Sequence, residues 1–208
     1  MWGMETFASD HDYVVIFANN TRNVLIGNTM VTLPAKTNIT IPGIDKPCDI
    51  SAMEIGHLVH LLKKGNVNAI WAVMSPIVVT GADNNWGLQN LQNLVRKTVS
   101  SASYPSIEGM AISQCHDAKK RAQVRDPKKS YATALRTLEF GTRLFDTGEI
   151  RFDPPTSKKF NEKAVVKAIH DLRRAYGDSC PRLPTTVLAK PFDDYLYNLR
   201  VEILNHWG

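Results

Sequence analysis

Acidic residues with a spacing suited to metal-assisted chemistry lie near the start of the chain. The segment SDHDYVVIF contains Asp10 and Asp12 where β-branched and aromatic residues predict a strand over 12–18. Residues i and i+2 of a strand project from the same face with Cα atoms about 6 to 7 Å apart, so these two carboxylates can converge. Carboxylates this close repel each other unless a cation lies between them, and a hard cation such as Mg²⁺ suits them.

A third carboxylate from a neighbouring strand would complete a site for two metal ions, which can hold the attacking and leaving oxygens of a phosphoryl transfer. Asp49 is the candidate because it ends an extended segment immediately before a predicted helix. A side chain at the end of a strand can face the same cleft as Asp10 and Asp12. The other interpretation is that S-x-D and D-x-D patterns are ordinary helix caps and turn residues.

The elements that position these acids lie in the first half of the chain. The strand over 12–18 has the composition of a strand buried on both faces, and a second extended segment covers about 30–41. Ser51 and Glu54 have the spacing of a capping box, which predicts a helix over 52–64 that ends at Gly65. Apolar periodicity predicts two more helices, over about 68–74 and 86–99.

The second half of the chain has the pattern of a helical region. Long helices are predicted over about 106–124, 129–146, 161–175 and 193–206, separated by proline-containing segments. The expected fold class is therefore α/β (α+β), with a small mixed sheet in a domain over 1–100 and a helical lobe over 101–208.

Composition favours a cytoplasmic protein with phosphate-bearing partners. The 208 residues carry 25 Lys and Arg against 20 Asp and Glu, a formal net charge of +5 and a pI near 9.1. The cysteines Cys48, Cys115 and Cys180 lack the spacing of a disulfide framework or a zinc site. No apolar run approaches the roughly 20 residues that cross a bilayer, so no membrane partner is expected. P-loop, Rossmann and GxSxG motifs are missing from the sequence.

Two further patterns have ordinary interpretations beside functional ones. Glu54 and His57 have the E-x-x-H spacing of half a di-iron site, but no second such motif accompanies them. The second pattern is a basic run. Such a run is most often a solvated helix face, and nucleic-acid binding is the alternative. No aromatic residues interleave with it to form a platform for base stacking. The run consists of Lys119, Lys120, Arg121, Arg125, Lys128 and Lys129.

The order of these motifs resembles the predicted nucleotidyltransferases of the DNA polymerase β superfamily, including the type associated with RNA repair. The family's SDxD motif, its third acid and its KGNPN turn match, in order, Ser9–Asp12, Asp49–Ile50 and Lys64–Asn68. The later part of the chain is similar to the family's F-x-G-x-A-x-SQ helix, K-x6-R helix and tGEI ending. These matches are Ile107–Gln114, Lys129 with Arg136, and Thr147–Ile150.

The resemblance implies a nucleotidyltransferase palm that uses two Mg²⁺ ions and a nucleoside triphosphate. It implies transfer of a nucleoside monophosphate to a hydroxyl acceptor, with RNA as the suggested acceptor, and release of pyrophosphate. Asp10 and Asp12 would hold both ions and the triphosphate, and Asp49 would hold the catalytic ion and assist deprotonation of the acceptor. Three further residues would support them: Ser9 by orienting the first acid, and Lys129 and Arg136 by approaching the phosphates.

The sequence departs from the family pattern at several positions. The family's glycine-serine pair, which receives the triphosphate, would lie before Met1 together with the first helix and strand of the palm. Val67, Trp71 and Thr133 replace the family's usual proline, glutamate and histidine. Two expectations follow: either the natural chain is longer, or the protein is a truncated member of the family. The alternative function is that of a catalytically inactive nucleotide- or RNA-binding protein with an eroded palm.

Overall fold

The computed structural model describes residues 11–39, 48–77, 87–123, 126–156 and 159–207. Three strands lie in this part of the chain: β1 (His11–Phe17), β2 (Thr32–Ile39) and β3 (Cys48–Glu54). The α-helices are α1 (Thr21–Leu25), α2 (Ile55–Lys63), α3 (Val67–Met74), α4 (Leu88–Thr98), α5 (Tyr104–Lys120), α6 (Pro127–Thr147), α7 (Glu162–Tyr176) and α8 (Ala189–Trp207). The expected α/β class with a small sheet and a helical second half is confirmed.

The sheet is mixed, with strand order β1-β3-β2. Strand β1 pairs with β3 in parallel, and β2 pairs with β3 in the antiparallel sense. The expectation that the first strand is buried on both faces is wrong, because Val14 and Val15 are 48% and 44% exposed. Among the described strands β1 lies at an edge and has one neighbour, so the pairing does not enclose it.

The boundary between β3 and α2 differs from the predicted capping box. Ser51 lies inside β3, which pairs with β1 as far as Glu54 and with β2 through Ala52 and Met53. Pairing on both sides holds this segment extended, so the helix begins at Ile55 rather than 52. Glu54 itself caps the helix, since its carboxylate accepts the Gly56 N–H at 2.6 Å.

The described residues fall into two compact units. The strand unit contains the described residues of 11–63, 87–94 and 188–207, and the helical unit contains 64–77 and the described residues of 95–187. This grouping differs from the expected division at residue 100, which assigned the last helix to the helical lobe. Helix α8 packs against α1 and α2 of the strand unit, and its residues Phe192, Leu199 and Ile203 are buried.

Helices α5, α6 and α7 pack together to form the core of the helical unit. Gly141 of α6 lies against Ile107 of α5 so closely that a Cβ at position 141 would stand 2.7 Å from Ile107 Cγ2. Phe140 meets Trp71 of α3 edge to face, with ring centroids 5.6 Å apart. Trp71 is therefore a core residue of this unit.

Cys48, Cys115 and Cys180 are all buried and none forms a disulfide. Within the described ranges, none of the helices combines the length and the apolar character that crossing a bilayer requires.

Candidate functional site

Asp12 and Asp49 are direct partners across the parallel strands β1 and β3. Directly opposite residues of neighbouring strands share a face of the sheet, and their backbones lie about 4.8 Å apart. The side chain of Asp12 is exposed and that of Asp49 is half-buried. The two strands therefore bring two carboxylates to one accessible position, although 37 positions separate the residues along the chain.

The position of Asp49 within its strand corrects the sequence-based expectation. Asp49 is the second residue of β3 rather than its last, because the strand continues to Glu54. Asp12 is likewise the second residue of β1. The carboxylate pair thus lies at the amino ends of two parallel strands.

The other two members of the predicted acidic motif, Ser9 and Asp10, lie outside the described residues. The expected convergence of Asp10 with Asp12 stays a prediction. Within the residues that the structure does describe, no group of three or more His, Cys, Asp and Glu side chains surrounds a possible metal position. The described part of the site is therefore the pair Asp12 and Asp49.

This pair suits a hard divalent cation. Carboxylate oxygens are the ligands that Mg²⁺ prefers, and it is usually bound through one or two carboxylates together with waters and substrate phosphates. Like charges placed directly opposite each other destabilise a sheet, so a cation between Asp12 and Asp49 would also relieve their repulsion. The donor types and their accessibility fit the metal that the resemblance implies.

Lys129 and Arg136 lie on α6, seven residues and about two turns apart, and so share one helix face. Thr133 stands between them, because its hydroxyl donates to the Lys129 carbonyl at 3.1 Å and accepts from the Arg136 guanidinium at 3.4 Å. Lys129 is exposed and Arg136 is half-buried. Burial lowers the pKa of the Arg136 guanidinium, which still stays charged at neutral pH.

The predicted site residues thus form two described pairs in different units. Asp12 and Asp49 belong to the strand unit, and Lys129 and Arg136 belong to the helical unit. Each pair is brought together by a regular element, the first by strand pairing and the second by helix periodicity.

The turn over Lys64–Asn66 is a structural feature of the helical unit. Gly65 has φ +68, and its backbone lies so close to the backbone of Ala102 that an added Cβ would stand 2.7 Å away. Asn66 caps α3 by accepting the Ala69 N–H at 3.1 Å. The predicted helix end at Gly65 is confirmed, and glycine is needed there for both its φ and its size.

A cavity of about 530 Å³ lies within the strand unit, at the carboxyl ends of β1 and β3. Its walls include Asn19, Glu54, His57, Leu196 and Arg200. Five residues of extended chain separate this end from the acids, which corresponds to about 16 Å along the strands. The cavity is therefore separate from the carboxylate pair.

Arg200 is a structural residue that the sequence reasoning missed. Its guanidinium forms an ion pair with the Glu54 carboxylate and donates to the Asn19 carbonyl at 3.0 Å. Its own carbonyl accepts the Thr21 hydroxyl at 2.8 Å. Glu54 is occupied by these contacts, so the E-x-x-H spacing reflects a helix cap and an ion pair. No local sequence pattern links residues 146 positions apart.

Residues 1–177 match the model of a protein family described as the RNA repair pathway DNA polymerase beta family. The matched range includes both described pairs of candidate site residues and ends one residue beyond α7. Helix α8 and Arg200 lie outside it. No curated protein and no solved structure gives a significant match to the chain.

Proposed function

The chain belongs to the RNA repair pathway DNA polymerase beta family, and we propose that it transfers a nucleoside monophosphate from a nucleoside triphosphate to a hydroxyl group of RNA. The family supplies the reaction class, nucleotidyl transfer. The observation that carries the proposal to this chain is the pairing of Asp12 with Asp49 on adjacent parallel strands. A cytoplasmic location stays a prediction from the composition.

Asp12 and Asp49, together with Asp10, are the residues that would hold Mg²⁺. When bound there, the metal would neutralise triphosphate charge and stabilise the attacking and leaving oxygens. Ser9 is proposed to orient Asp10. These roles follow the family motif residue by residue, and the described geometry of Asp12 and Asp49 supports them.

The reaction joins the acceptor oxygen to the α-phosphorus of the triphosphate. The bond between that phosphorus and the bridging oxygen of pyrophosphate breaks, and pyrophosphate leaves with the bonding electrons. Following the family motif, Asp49 is proposed to accept the proton of the attacking hydroxyl. Its carboxylate is half-buried and adjoins the more exposed Asp12. Lys129 and Arg136 are proposed to offset the negative charge that develops on the departing pyrophosphate.

A transfer assay tests this proposal. The full chain is incubated with each labelled nucleoside triphosphate, Mg²⁺ and a set of RNAs with different ends, and compared with Asp12→Asn and Asp49→Asn. Each substitution removes one carboxylate at nearly constant volume. We expect either variant to lose about a hundredfold or more of the transfer rate, because several kcal/mol of transition-state stabilisation depends on the metal.

The matched control is Asp194→Asn, which removes an exposed carboxylate of the same unit that pairs with Lys190. It should transfer at the rate of the wild type. Equal transfer by the wild type and both acid variants would contradict the proposal. A chain that binds nucleoside triphosphate without any transfer would favour the alternative of a catalytically inactive binding protein.

A further inference from the structure

Charge is distributed unequally between the two units. Among the described residues, the helical unit contains 17 Lys and Arg against 10 Asp and Glu, and the strand unit contains 5 Lys and Arg against 6 Asp and Glu. The helical unit therefore carries a positive formal charge and the strand unit a negative one. A basic surface of this kind attracts polyanions.

Part of the basic charge gathers at one end of the helical unit. Helix α5 ends at Lys120 and α6 begins at Pro127, and the two helices pack against each other. A connection this short makes them antiparallel neighbours, so the end of α5 and the start of α6 lie together. Lys120, Arg121, Lys128 and Lys129 are all exposed at this end.

The start of α7 lies at the same end. Lys119 of α5 forms a salt bridge of 2.7 Å with Glu162, the first residue of α7. Lys163 follows directly and is exposed. The basic end of the helical unit is thus defined by Lys120, Arg121, Lys128 and Lys163. Lys129 lies beside them and is proposed above to act on the triphosphate.

The cations of the basic end are available for a ligand. Within the described ranges none of them forms an ion pair, whereas Lys119, Lys167 and Arg174 do. Two nearby acids, Glu162 and Asp126, have other roles. Glu162 is paired with Lys119, and the Asp126 carboxylate caps α6 by accepting the Lys128 N–H at 2.9 Å.

We propose that the basic end of the helical unit binds the phosphodiester backbone of a polynucleotide. Polynucleotide binding to clustered Lys and Arg releases counterions from the phosphates, which is the main source of sequence-independent affinity. This inference deepens the proposed function, because it locates where an RNA acceptor is held outside the reacting groups. It concerns binding, so it can be tested apart from catalysis.

The exposed side chains of these helices favour a polynucleotide over a membrane surface and indicate how it would be contacted. Binding to a membrane surface uses a helix with an apolar face beside the charges. Among the described residues of α5, α6 and α7, the exposed large apolar side chain is Val166 alone, at 51%. No exposed Phe, Tyr or Trp lies on the described parts of these helices, so contacts to phosphate rather than base stacking are expected.

The test is a binding titration with the full chain in EDTA and without nucleoside triphosphate. The probes are fluorescent single-stranded RNA and DNA of equal length and mixed sequence. Lys120→Gln, Arg121→Gln and Lys128→Gln are combined in one variant. At 0.1 M salt we expect its affinity to fall about a hundredfold, and the slope of log affinity against log salt to shrink by about 2.

The matched control combines Lys97→Gln, Arg174→Gln and Arg182→Gln, which removes the same charge from other parts of the helical unit. Arg174 lies near the end of α7, about 18 Å along that helix from Glu162. The control variant should retain most of the wild-type affinity for both probes. Circular dichroism melts check that both triple variants fold.

Several outcomes would overturn the inference. The first variant could bind with wild-type affinity, or both triple variants could lose affinity equally. The first variant could also lose affinity for only one of RNA and DNA, whereas loss of a shared backbone site should weaken binding of both. If the first variant lost binding to anionic phospholipid vesicles but kept its polynucleotide affinity, the surface would be assigned to a membrane instead. Asp12→Asn should bind both probes like the wild type, so a failure of the transfer proposal leaves this result unchanged.

Discussion

Asp12 and Asp49 face each other from adjacent parallel strands, and both belong to the acids proposed to bind metal. Opposed carboxylates repel each other in the absence of a cation. The proposed divalent ion would relieve this repulsion.

Replacing one of these acids should raise the stability of the metal-free protein. We expect Asp12→Asn to increase the free energy of unfolding by about 0.2 to 1 kcal/mol in EDTA, because a like-charge pair across strands is removed. Mg²⁺ should stabilise the wild type and have little effect on this variant. Urea unfolding with EDTA or with Mg²⁺ measures both effects, and Asp194→Asn serves as the control. Equal Mg²⁺ stabilisation of the wild type and Asp12→Asn would contradict the assignment.

The ion pair between Glu54 and Arg200 should contribute strongly to the stability of the strand unit. The two side chains are only 8% and 13% exposed, so Arg200→Met would leave a carboxylate buried without its cation. We expect a loss of about 3 to 5 kcal/mol in urea unfolding. Lys190→Met breaks an exposed pair with Asp194 and should cost less than about 1 kcal/mol.

A double variant separates the ion pair from other effects of Arg200. Glu54→Gln combined with Arg200→Met removes both charges and should be more stable than Arg200→Met alone, because no uncompensated charge stays buried. A loss below 1 kcal/mol for Arg200→Met would mean that the pair contributes little.

Gly65 and Gly27 offer a comparison between backbone strain and steric exclusion. Both have positive φ, +68 and +75, but a Cβ at Gly27 would meet no atom within 4 Å. Gly27→Ala should cost about 1 to 2 kcal/mol from the left-handed backbone alone. Gly65→Ala should cost about 1 to 3 kcal/mol more, because its Cβ would contact the Ala102 backbone at 2.7 Å. Equal losses in chemical denaturation would show that the turn adjusts without cost.

Alkaline pH should destabilise the protein through two tyrosines. Burial, followed by a hydrogen bond to Asp146, raises the pKa of Tyr176 to about 12, and burial followed by the charge of Glu202 raises the pKa of Tyr195 to about 12. In the unfolded chain a tyrosine has a pKa near 10. The folded state therefore retains protons that the unfolded state loses, and this stabilisation is complete below about pH 10 and lost between about pH 10 and 12.

Thermal melts at intervals from pH 9 to 12 check this expectation. Tyr176→Phe and Tyr195→Phe should each show a smaller decrease in melting temperature over that interval than the wild type. An identical decrease in the wild type and both variants would assign the alkaline destabilisation to other groups.

Local sequence signals predicted most helices of this fold. The end of α2 at Gly65, which has φ +68, follows from the ability of glycine to adopt the left-handed conformation. Apolar periodicity likewise located α3, α4 and α7 to within two residues. These signals work because helix formation depends on residues within a few positions of each other.

The sequence alone also determined which residues are candidates for the chemistry, through the types and order of its motifs. Only the tertiary structure decided that Ser51 lies in a strand, that Asp49 stands opposite Asp12, and that Arg200 neutralises Glu54. Strand register and buried ion pairs join segments far apart in the chain. Their energies depend on partners that no local window of sequence contains.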